Sequence, residues 1–244
     1  MEKKIIEYLN SKNYYDFTPK AAFFDMDGIL FDSMPYHAKA WVKVMNEENI
    51  PFSLEDAYIN EGRTGADTIN YFFNYYKGRV ATDEEIKSIY ARKAEYFAQN
   101  YKVKRILNAN RFVKRLQHDG LQIFLVTGSA QDSLLDVLNE FYPKVFDREH
   151  MITAYDVKNG KPNPEPYLKA LEKSGCKPNE VFAVENAPLG VRSSVSAGLF
   201  TLAVNTGILN DSVLVDELKN SGVLMNSFAD VLKFYNYFSR PTIL

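Results

Sequence analysis

The sequence is most informative at Phe23-Phe24-Asp25-Met26-Asp27-Gly28, where a short apolar segment that begins near Ala21 ends in two acids. A buried strand that releases two carboxylates at its tip concentrates negative charge, and such charge persists only with a cation, a proton or a hydrogen-bond network beside it. Open α/β sheets place their ligands at the carboxyl ends of their strands. The stretch therefore predicts a first strand with a functional pair of acids at its end.

Further apolar runs have the length of buried strands. They cover residues 121–127, 181–184 and 200–204, with a weaker run at 222–225. Helical patterns follow at 131–141 and 189–197. Strands that alternate with helices predict βαβ units and a parallel sheet, and right-handed crossovers bring the carboxyl ends of these strands to one edge.

Residues 32–104 carry no strong strand pattern and show helix signals instead. Helical patterns run over 36–48 and 83–100, and Thr82 with Glu85 fits a capping box at the start of the second. We therefore predict a helical insertion between the first strand and the rest of the sheet.

The composition is that of an ordinary globular protein. The chain has 244 residues, of which 46% are hydrophobic and 25% charged, and its net charge of −2 gives no bias toward nucleic acid or anionic membranes. A single cysteine, Cys176, excludes an internal disulfide framework and a multi-thiolate metal site. No apolar run has the length of a membrane span, and residues 1–9 lack the long apolar stretch of a signal peptide. We expect a soluble, cytoplasmic protein that binds neither nucleic acid nor membranes.

Three later segments present polar groups at the ends of predicted elements. Thr127-Gly128-Ser129 offers hydroxyls and backbone N–H groups ahead of a predicted helix, which suits an anion. Gly160-Lys161-Pro162 holds a lysine beside a proline that restricts the chain, and Glu185-Asn186 ends a strand with two oxygen-bearing side chains. Carboxylate and amide oxygens suit a hard cation such as Mg²⁺, whereas the hydroxyls and the ammonium suit a phosphate. The set therefore predicts phosphoryl transfer.

These motifs resemble those of a known superfamily. Asp25-Met26-Asp27-Gly28, Thr127-Gly128-Ser129, Lys161 and Glu185-Asn186 are similar, in this order, to the four motifs of the haloacid dehalogenase (HAD) superfamily. The resemblance covers essentially the whole chain after about residue 20. It implies an α/β fold with two parts: a Rossmann-like core with a parallel sheet, and a small all-helical cap domain inserted after the first strand. The core would comprise residues 1–31 and 105–244, and the cap residues 32–104.

The same resemblance implies roles for the motif residues. Asp25 would be the nucleophile that forms an aspartyl-phosphate, and Asp27 would protonate the leaving group and then activate water or an acceptor hydroxyl. Thr127 and Lys161 would hold the phosphoryl oxygens and stabilise their charge. Gly128 and Ser129 would complete the substrate-binding loop.

A bound Mg²⁺ ion is also implied by the resemblance. Its ligands would be Asp25, the backbone carbonyl of Asp27, and Asn186, with Glu185 close by. Many relatives have an acid in place of Asn186. An amide oxygen can ligate Mg²⁺ but brings no charge, so a lower metal affinity is expected. Whether Glu185 or Asn186 is the direct ligand stays open.

The helical insertion places the chain in the branch that resembles β-phosphoglucomutase. The segment Phe31-Asp32-Ser33-Met34-Pro35-Tyr36-His37, followed by Trp41, is similar to that branch's transition into a small helical cap. Such caps open and close over the active site. His37 is expected to contact either the substrate or the base of the cap, and Trp41 is expected to pack in the cap interior.

The cap loop Asn60-Glu61-Gly62-Arg63-Thr64-Gly65 bears on the substrate. β-Phosphoglucomutases carry basic residues in this loop for the second phosphate of a sugar bisphosphate. This chain has Glu61 and Gly65 at those places, with Arg63 as a partial substitute. The loop is more similar to that of HAD members that hydrolyse inorganic pyrophosphate. Glu61 would then add a carboxylate to the metal when the cap closes; the alternative is a solvated loop acid.

The resemblance implies a monomeric, Mg²⁺-dependent phosphohydrolase for a small phosphorylated molecule, either inorganic pyrophosphate or a sugar phosphate. The enzymatic alternative is β-phosphoglucomutase, which converts β-glucose 1-phosphate into glucose 6-phosphate. A phospho-accepting signalling module also uses clustered acids with threonine and lysine. The position of Asp25 on the first strand and the insertion that follows it argue against that third possibility.

Overall fold

The computed structural model describes residues 2–129 and 134–238. Within these residues, six parallel strands form one sheet in the order β3-β2-β1-β4-β5-β6. The strands are β1 (Ala21–Phe24), β2 (Gln122–Val126), β3 (Met151–Ile152), β4 (Val181–Glu185), β5 (Phe200–Val204) and β6 (Gly222–Met225). The predicted parallel sheet is confirmed, and β3 is an additional edge strand too short to show any sequence period.

The first strand lies in the middle of the sheet. β1 pairs with β2 on one side and β4 on the other, so that Phe24 stands opposite Leu125 and Val184. All four residues of β1 are buried, as expected for a strand of a parallel sheet that is covered on both faces. The acids that follow β1 therefore emerge at the centre of the carboxyl edge.

Eleven α-helices accompany the strands in the described part of the chain. They are α1 (Glu2–Lys12), α2 (Met34–Glu47), α3 (Leu54–Ile59), α4 (Gly65–Lys77), α5 (Asp83–Asn100), α6 (Ala109–His118), α7 (Leu134–Phe141), α8 (Glu165–Ser174), α9 (Pro188–Ser196), α10 (Asp211–Leu218) and α11 (Phe228–Phe238). The helix predicted over 131–141 is observed from Leu134 onward, and its first three predicted residues lie outside the described ranges.

Alternate residues of the strands pack into two apolar layers. Phe24 and its neighbours on one face of the sheet pack against α1, α6, α7 and α11. Phe23 and its neighbours on the other face pack against α8, while α9 and α10 cover β5 on that side. This three-layer α/β/α arrangement gives the sheet two dry faces and leaves its carboxyl edge for a site.

Helices α2–α5 form a separate helical unit with its own apolar cluster. Two of these helices begin at capping boxes: Ser53 caps α3 together with Asp56, and Thr82 caps α5 together with Glu85 as predicted. Each reciprocal pair of hydrogen bonds satisfies backbone N–H groups that the first turn leaves unpaired. The helical character predicted for this insertion is confirmed.

The chain enters and leaves the helical unit through two adjacent segments. The Asp32 N–H donates a hydrogen bond to the Lys104 carbonyl (2.8 Å), and Phe31 forms an isolated antiparallel bridge with Arg105. From this pairing we propose that residues 32–104 are a cap domain, which moves as a rigid body about these two connecting segments. Among the described residues, no helix is long and apolar enough to cross a membrane.

Candidate active site

The carboxyl edge of the sheet brings the predicted site residues together. Asp25 follows β1, Thr127 follows β2, and Glu185 ends β4. Lys161 reaches the same point from the loop before α8, where its Nζ lies 2.5 Å from Asp25 Oδ1, 2.6 Å from Glu185 Oε1 and 2.9 Å from the Val126 carbonyl oxygen. All three protons of the ammonium therefore have acceptors, which fixes the lysine between the two acids.

Asp25 lies in a dry and crowded environment. Its side chain is 7% exposed and that of Lys161 1%. The pKa of Asp25 is raised above its usual value, because burial and the nearby Glu185 carboxylate raise it by more than the Lys161 ammonium lowers it. Burial lowers the pKa of Lys161, but Asp25 and Glu185 together bring it above its ordinary value. A further positive charge beside Asp25 would therefore favour its ionised form.

Asp27 belongs to a different hydrogen-bond network, which leads into the helical unit. Its Oδ1 accepts a hydrogen bond from the Ser33 hydroxyl and lies 3.2 Å from His37 Nε2. Burial raises the pKa of Asp27, but His37 and Ser33 outweigh this effect and hold it below its usual value. His37 stacks on Phe97 with 3.9 Å between ring centroids. The structure thus places His37 beside Asp27 at the base of the helical unit.

Lys93 completes this network and was missed by the sequence analysis. Its Nζ lies 2.7 Å from His37 Nδ1. Because an ammonium can only donate, Nδ1 must accept, and the ring proton therefore sits on Nε2 and points to Asp27. Burial lowers the pKa of Lys93 to about 8, against the raising effect of Asp27. A signal was present in the sequence: Lys93 occupies the buried face of α5 between Ile89 and Phe97.

The predicted cap loop closes over the site. Glu61 is 9% exposed, so the alternative of a solvated loop acid is wrong. Its Oε1 accepts a hydrogen bond of 2.8 Å from Asn186 Nδ2. Burial raises the pKa of Glu61 well above its usual range, Asp25 raises it further, and the bond from Asn186 lowers it.

The contact between cap loop and core is close enough to involve backbone atoms. A Cβ atom built on Gly128 would lie 2.8 Å from the Gly62 carbonyl oxygen and 3.2 Å from that of Arg63. A Cβ on Gly160 would lie 2.8 Å from Thr64 Cγ2. The structure therefore represents a closed arrangement of the helical unit over the sheet.

Arg63 and the loop after β2 line a partly open cavity beneath the cap loop. Arg63 donates from Nε to Asn60 Oδ1 (3.1 Å), and its guanidinium lies 4.6 Å from the ring centroid of Tyr71. In the loop after β2, the Ser129 N–H donates to Thr127 Oγ1 (3.1 Å). Trp41 is half-buried and packs against the apolar cluster of the helical unit, as predicted, while also lining the cavity.

The donor set at the strand ends fits a hard cation. Asn186 Oδ1 is buried and is the single such side-chain atom of the described residues that has no hydrogen-bond partner. An amide oxygen left unpaired in a dry site among carboxylates suits Mg²⁺. The described ranges contain no preformed group of three or more acidic, histidine or cysteine ligands. A cation here would therefore depend on the amide and on a backbone carbonyl in addition to the acids.

A parallel sheet with a buried Asp–Lys–Glu cluster at its carboxyl edge and helices closed over it defines the class, an α/β protein with a charged site beneath a helical unit. Residues 22–204 match the family model of haloacid dehalogenase-like hydrolases, and the chain belongs to this family. The predicted superfamily, its fold and its enzymatic nature are confirmed.

Individual relatives are similar over most of the chain. A solved structure from Bacteroides vulgatus, provisionally named a beta-phosphoglucomutase, is 48% identical, with a TM-score of 0.92 over 96% of this chain and 95% of that one. The phosphorylated carbohydrates phosphatase of Thermotoga maritima is 28% identical over 79% of this chain and 88% of its own length. Hexitol phosphatase A of Escherichia coli is 28% identical over 76% of this chain and 83% of its own length.

Proposed function

We propose that the protein is a Mg²⁺-dependent phosphohydrolase that cleaves a small phosphorylated substrate through an aspartyl-phosphate on Asp25. The observation that carries this proposal is the bond from the buried Lys161 to Asp25, which lines a cavity beneath the cap loop. Lys161 orients the Asp25 carboxylate and is positioned to neutralise charge on a phosphoryl group. Thr127 and the backbone of Gly128 line the same cavity and supply further donors.

Asp27 suits the acid–base role. It lies two residues from the nucleophile, its side chain is 19% exposed, and it lines the cavity. His37 holds one of its oxygens through Nε2, which leaves the other oxygen for a proton exchanged with the leaving group or with water. Because the Lys93–His37 pair sits in the helical unit, closure of the cap would complete the environment of Asp27.

The metal would be held by Asp25, the Asp27 carbonyl and Asn186, with Glu185 adjacent and Glu61 supplied by the cap loop. When bound, Mg²⁺ favours the ionised form of Asp25 and offsets charge on the phosphoryl oxygens. The Asn186–Glu61 bond indicates where the cap carboxylate would enter this set. Glu61 would restore the negative charge that Asn186 lacks.

Two substrates are supported by different observations. The phosphatases among the relatives act, by their names, on phosphorylated carbohydrates and hexitols, which favours a sugar phosphate. The cap loop favours inorganic pyrophosphate, because it places the Glu61 carboxylate against Asn186 at the edge of the cavity. Lys93 and Arg63 also line this cavity and could hold a second phosphate. Phosphoglucomutase activity is the second candidate, supported by the name of the Bacteroides vulgatus structure.

A substrate panel with and without Mg²⁺ tests the proposal. It should contain pyrophosphate, hexose phosphates, and β-glucose 1-phosphate supplemented with catalytic β-glucose 1,6-bisphosphate, with Asp25→Asn as the inactive control. We expect Mg²⁺-dependent phosphate release, fastest with pyrophosphate. Formation of glucose 6-phosphate from β-glucose 1-phosphate, with little phosphate release from the other substrates, would favour the mutase over the hydrolase. Phosphate release that does not require Asp25 would overturn both proposals.

A further inference from the structure

Tyr167 stands directly behind the candidate active site. Its hydroxyl donates a hydrogen bond of 2.6 Å to Glu185 Oε1, and both side chains are fully buried. Tyr167 lies in the first half of α8, the helix that follows the loop of Lys161. It does not line the cavity. Its ring lies 5.4 Å from Lys161 Nζ, and its hydroxyl contacts the site only through Glu185.

Glu185 is held on every side. Its Oε1 accepts from both Tyr167 and Lys161 Nζ, each at 2.6 Å, and its Oε2 accepts from the Asn186 N–H at 3.2 Å. A Cβ on Gly190 would lie 2.2–2.3 Å from the carboxylate atoms, so the group is also wedged against the backbone of α9. The rotation of this carboxylate is therefore fixed by the Tyr167 hydroxyl, the Lys161 ammonium and the wall of Gly190.

We propose that Tyr167 is a positioning residue for the reaction, acting through Glu185 on Lys161 and Asn186; this inference rests on the proposed function. The three donors of Lys161 are already divided among Asp25, Val126 and Glu185. Lys161 alone cannot fill the second lone pair of Glu185 Oε1 without giving up another acceptor. The tyrosine hydroxyl fills it, so that Lys161 can keep its bond to the nucleophile.

Loss of this hydroxyl would disturb both partners of Glu185. A carboxylate oxygen with an empty site in a dry environment draws the nearest donor toward it, and that donor is Lys161. Rotation of the carboxylate would also break the bond from the backbone N–H of Asn186. The Asn186 side chain, whose Oδ1 is available to the metal, would then be held less firmly. Outer partners of metal ligands commonly change metal affinity or activity by about 10- to 100-fold when replaced.

Tyr167→Phe tests the proposal, with Tyr142→Phe as its matched control. Like Tyr167, Tyr142 is buried, does not line the cavity and donates from its hydroxyl to a core acceptor, but this acceptor is the Leu30 carbonyl (2.9 Å) and not Glu185. We expect Tyr167→Phe to weaken Mg²⁺ binding, measured by titration calorimetry without substrate, by about tenfold. The kcat should fall by a similar factor, and KM should stay within about twofold of the wild-type value. Tyr142→Phe should change neither the Mg²⁺ affinity nor kcat.

A double-mutant cycle shows whether the effect passes through Glu185. In the Glu185→Gln background, Tyr167→Phe should have no further effect on Mg²⁺ affinity. Additive losses, or a Tyr167→Phe enzyme with wild-type Mg²⁺ affinity and kcat, would overturn the proposal. If Tyr167→Phe does not fold, Glu185→Gln decides: because Glu185 would transmit the effect, its Mg²⁺ affinity should fall by about tenfold, and a wild-type Mg²⁺ affinity would overturn the proposal. Because calorimetry needs no turnover, failure of the proposed function itself would be seen separately, as an inactive wild-type enzyme.

Discussion

We predict that the buried charge of Lys93 lowers the free energy of unfolding. Replacing Lys93 by methionine should therefore raise the stability of the protein and lower its activity. The side chain is 4% exposed, and burial lowers the pKa of its ammonium from 10.5 to about 8. This change corresponds to about 3 kcal/mol lost from the free energy of unfolding at neutral pH. Methionine keeps the apolar length of the side chain without its charge.

The expected gain is smaller than this figure because Lys93→Met also removes a hydrogen bond. The donor to His37 Nδ1 is lost, at a cost of about 1 kcal/mol, so the net gain at pH 7 is about 2 kcal/mol. The sign of the pH dependence follows from the lowered pKa. Between about pH 8 and 10.5 the unfolded wild-type chain binds more protons than the folded one, so wild-type stability rises with pH relative to the variant and the difference disappears.

Urea unfolding at pH 7 and at pH 10 measures this prediction, with Lys87→Met as the control because Lys87 is exposed on the same helix. We expect Lys93→Met to be more stable than wild type at pH 7, to lose this advantage by pH 10, and to show at least about tenfold lower kcat/KM. A Lys93→Met protein that is less stable than wild type at pH 7, or a gain that does not depend on pH, would refute the reasoning.

Two further predictions concern the closed cap. Glu61→Ala should raise the Mg²⁺ concentration needed for half-maximal activity, because Asn186 loses its cap partner, while the melting curve of the core stays unchanged; identical Mg²⁺ titrations would contradict a metal role. Gly128→Ala should lower kcat/KM about tenfold at an almost unchanged melting temperature, because its Cβ meets the Gly62 carbonyl only when the cap is closed. Gly78→Ala should show the opposite pattern in the same assays, since its φ is +65° with open space around it.

Much of the architecture could be predicted from local sequence patterns, because these patterns determine secondary structure without help from distant residues. The acids of β1 could be placed because an apolar run must be buried and its carboxyl end must face the sheet edge. The helix α5 begins at the predicted residue because the capping box of Thr82 and Glu85 pairs backbone N–H groups of its first turn, and it also ends at the predicted residue. Met151 and Ile152, by contrast, pair with β2 through long-range packing, and two residues carry no period from which a strand could be inferred.

The parts of the site that sequence reasoning missed depend on contacts between distant segments. Lys93 lies 56 positions after His37, and only the packing of α5 against α2 makes them neighbours. Tyr167 donates to Glu185 across the interface of α8 with the sheet. A tyrosine or a lysine on a helix face gives no sign of its partner, whereas the loop residues after β1, β2 and β4 share an edge by topology alone.

Trapping the phosphorylated enzyme tests the central claim most directly. Enzyme mixed with pyrophosphate and Mg²⁺ is quenched in acid during the first turnover, and the phosphorylated peptide is located by mass spectrometry. The account predicts one phosphoryl group on Asp25 and no label in Asp25→Asn. In Asp27→Asn, which lacks both the acid for the first step and the base for the second, the label should form and decay more slowly. Normal turnover by Asp25→Asn, or a label on any other residue, would contradict it.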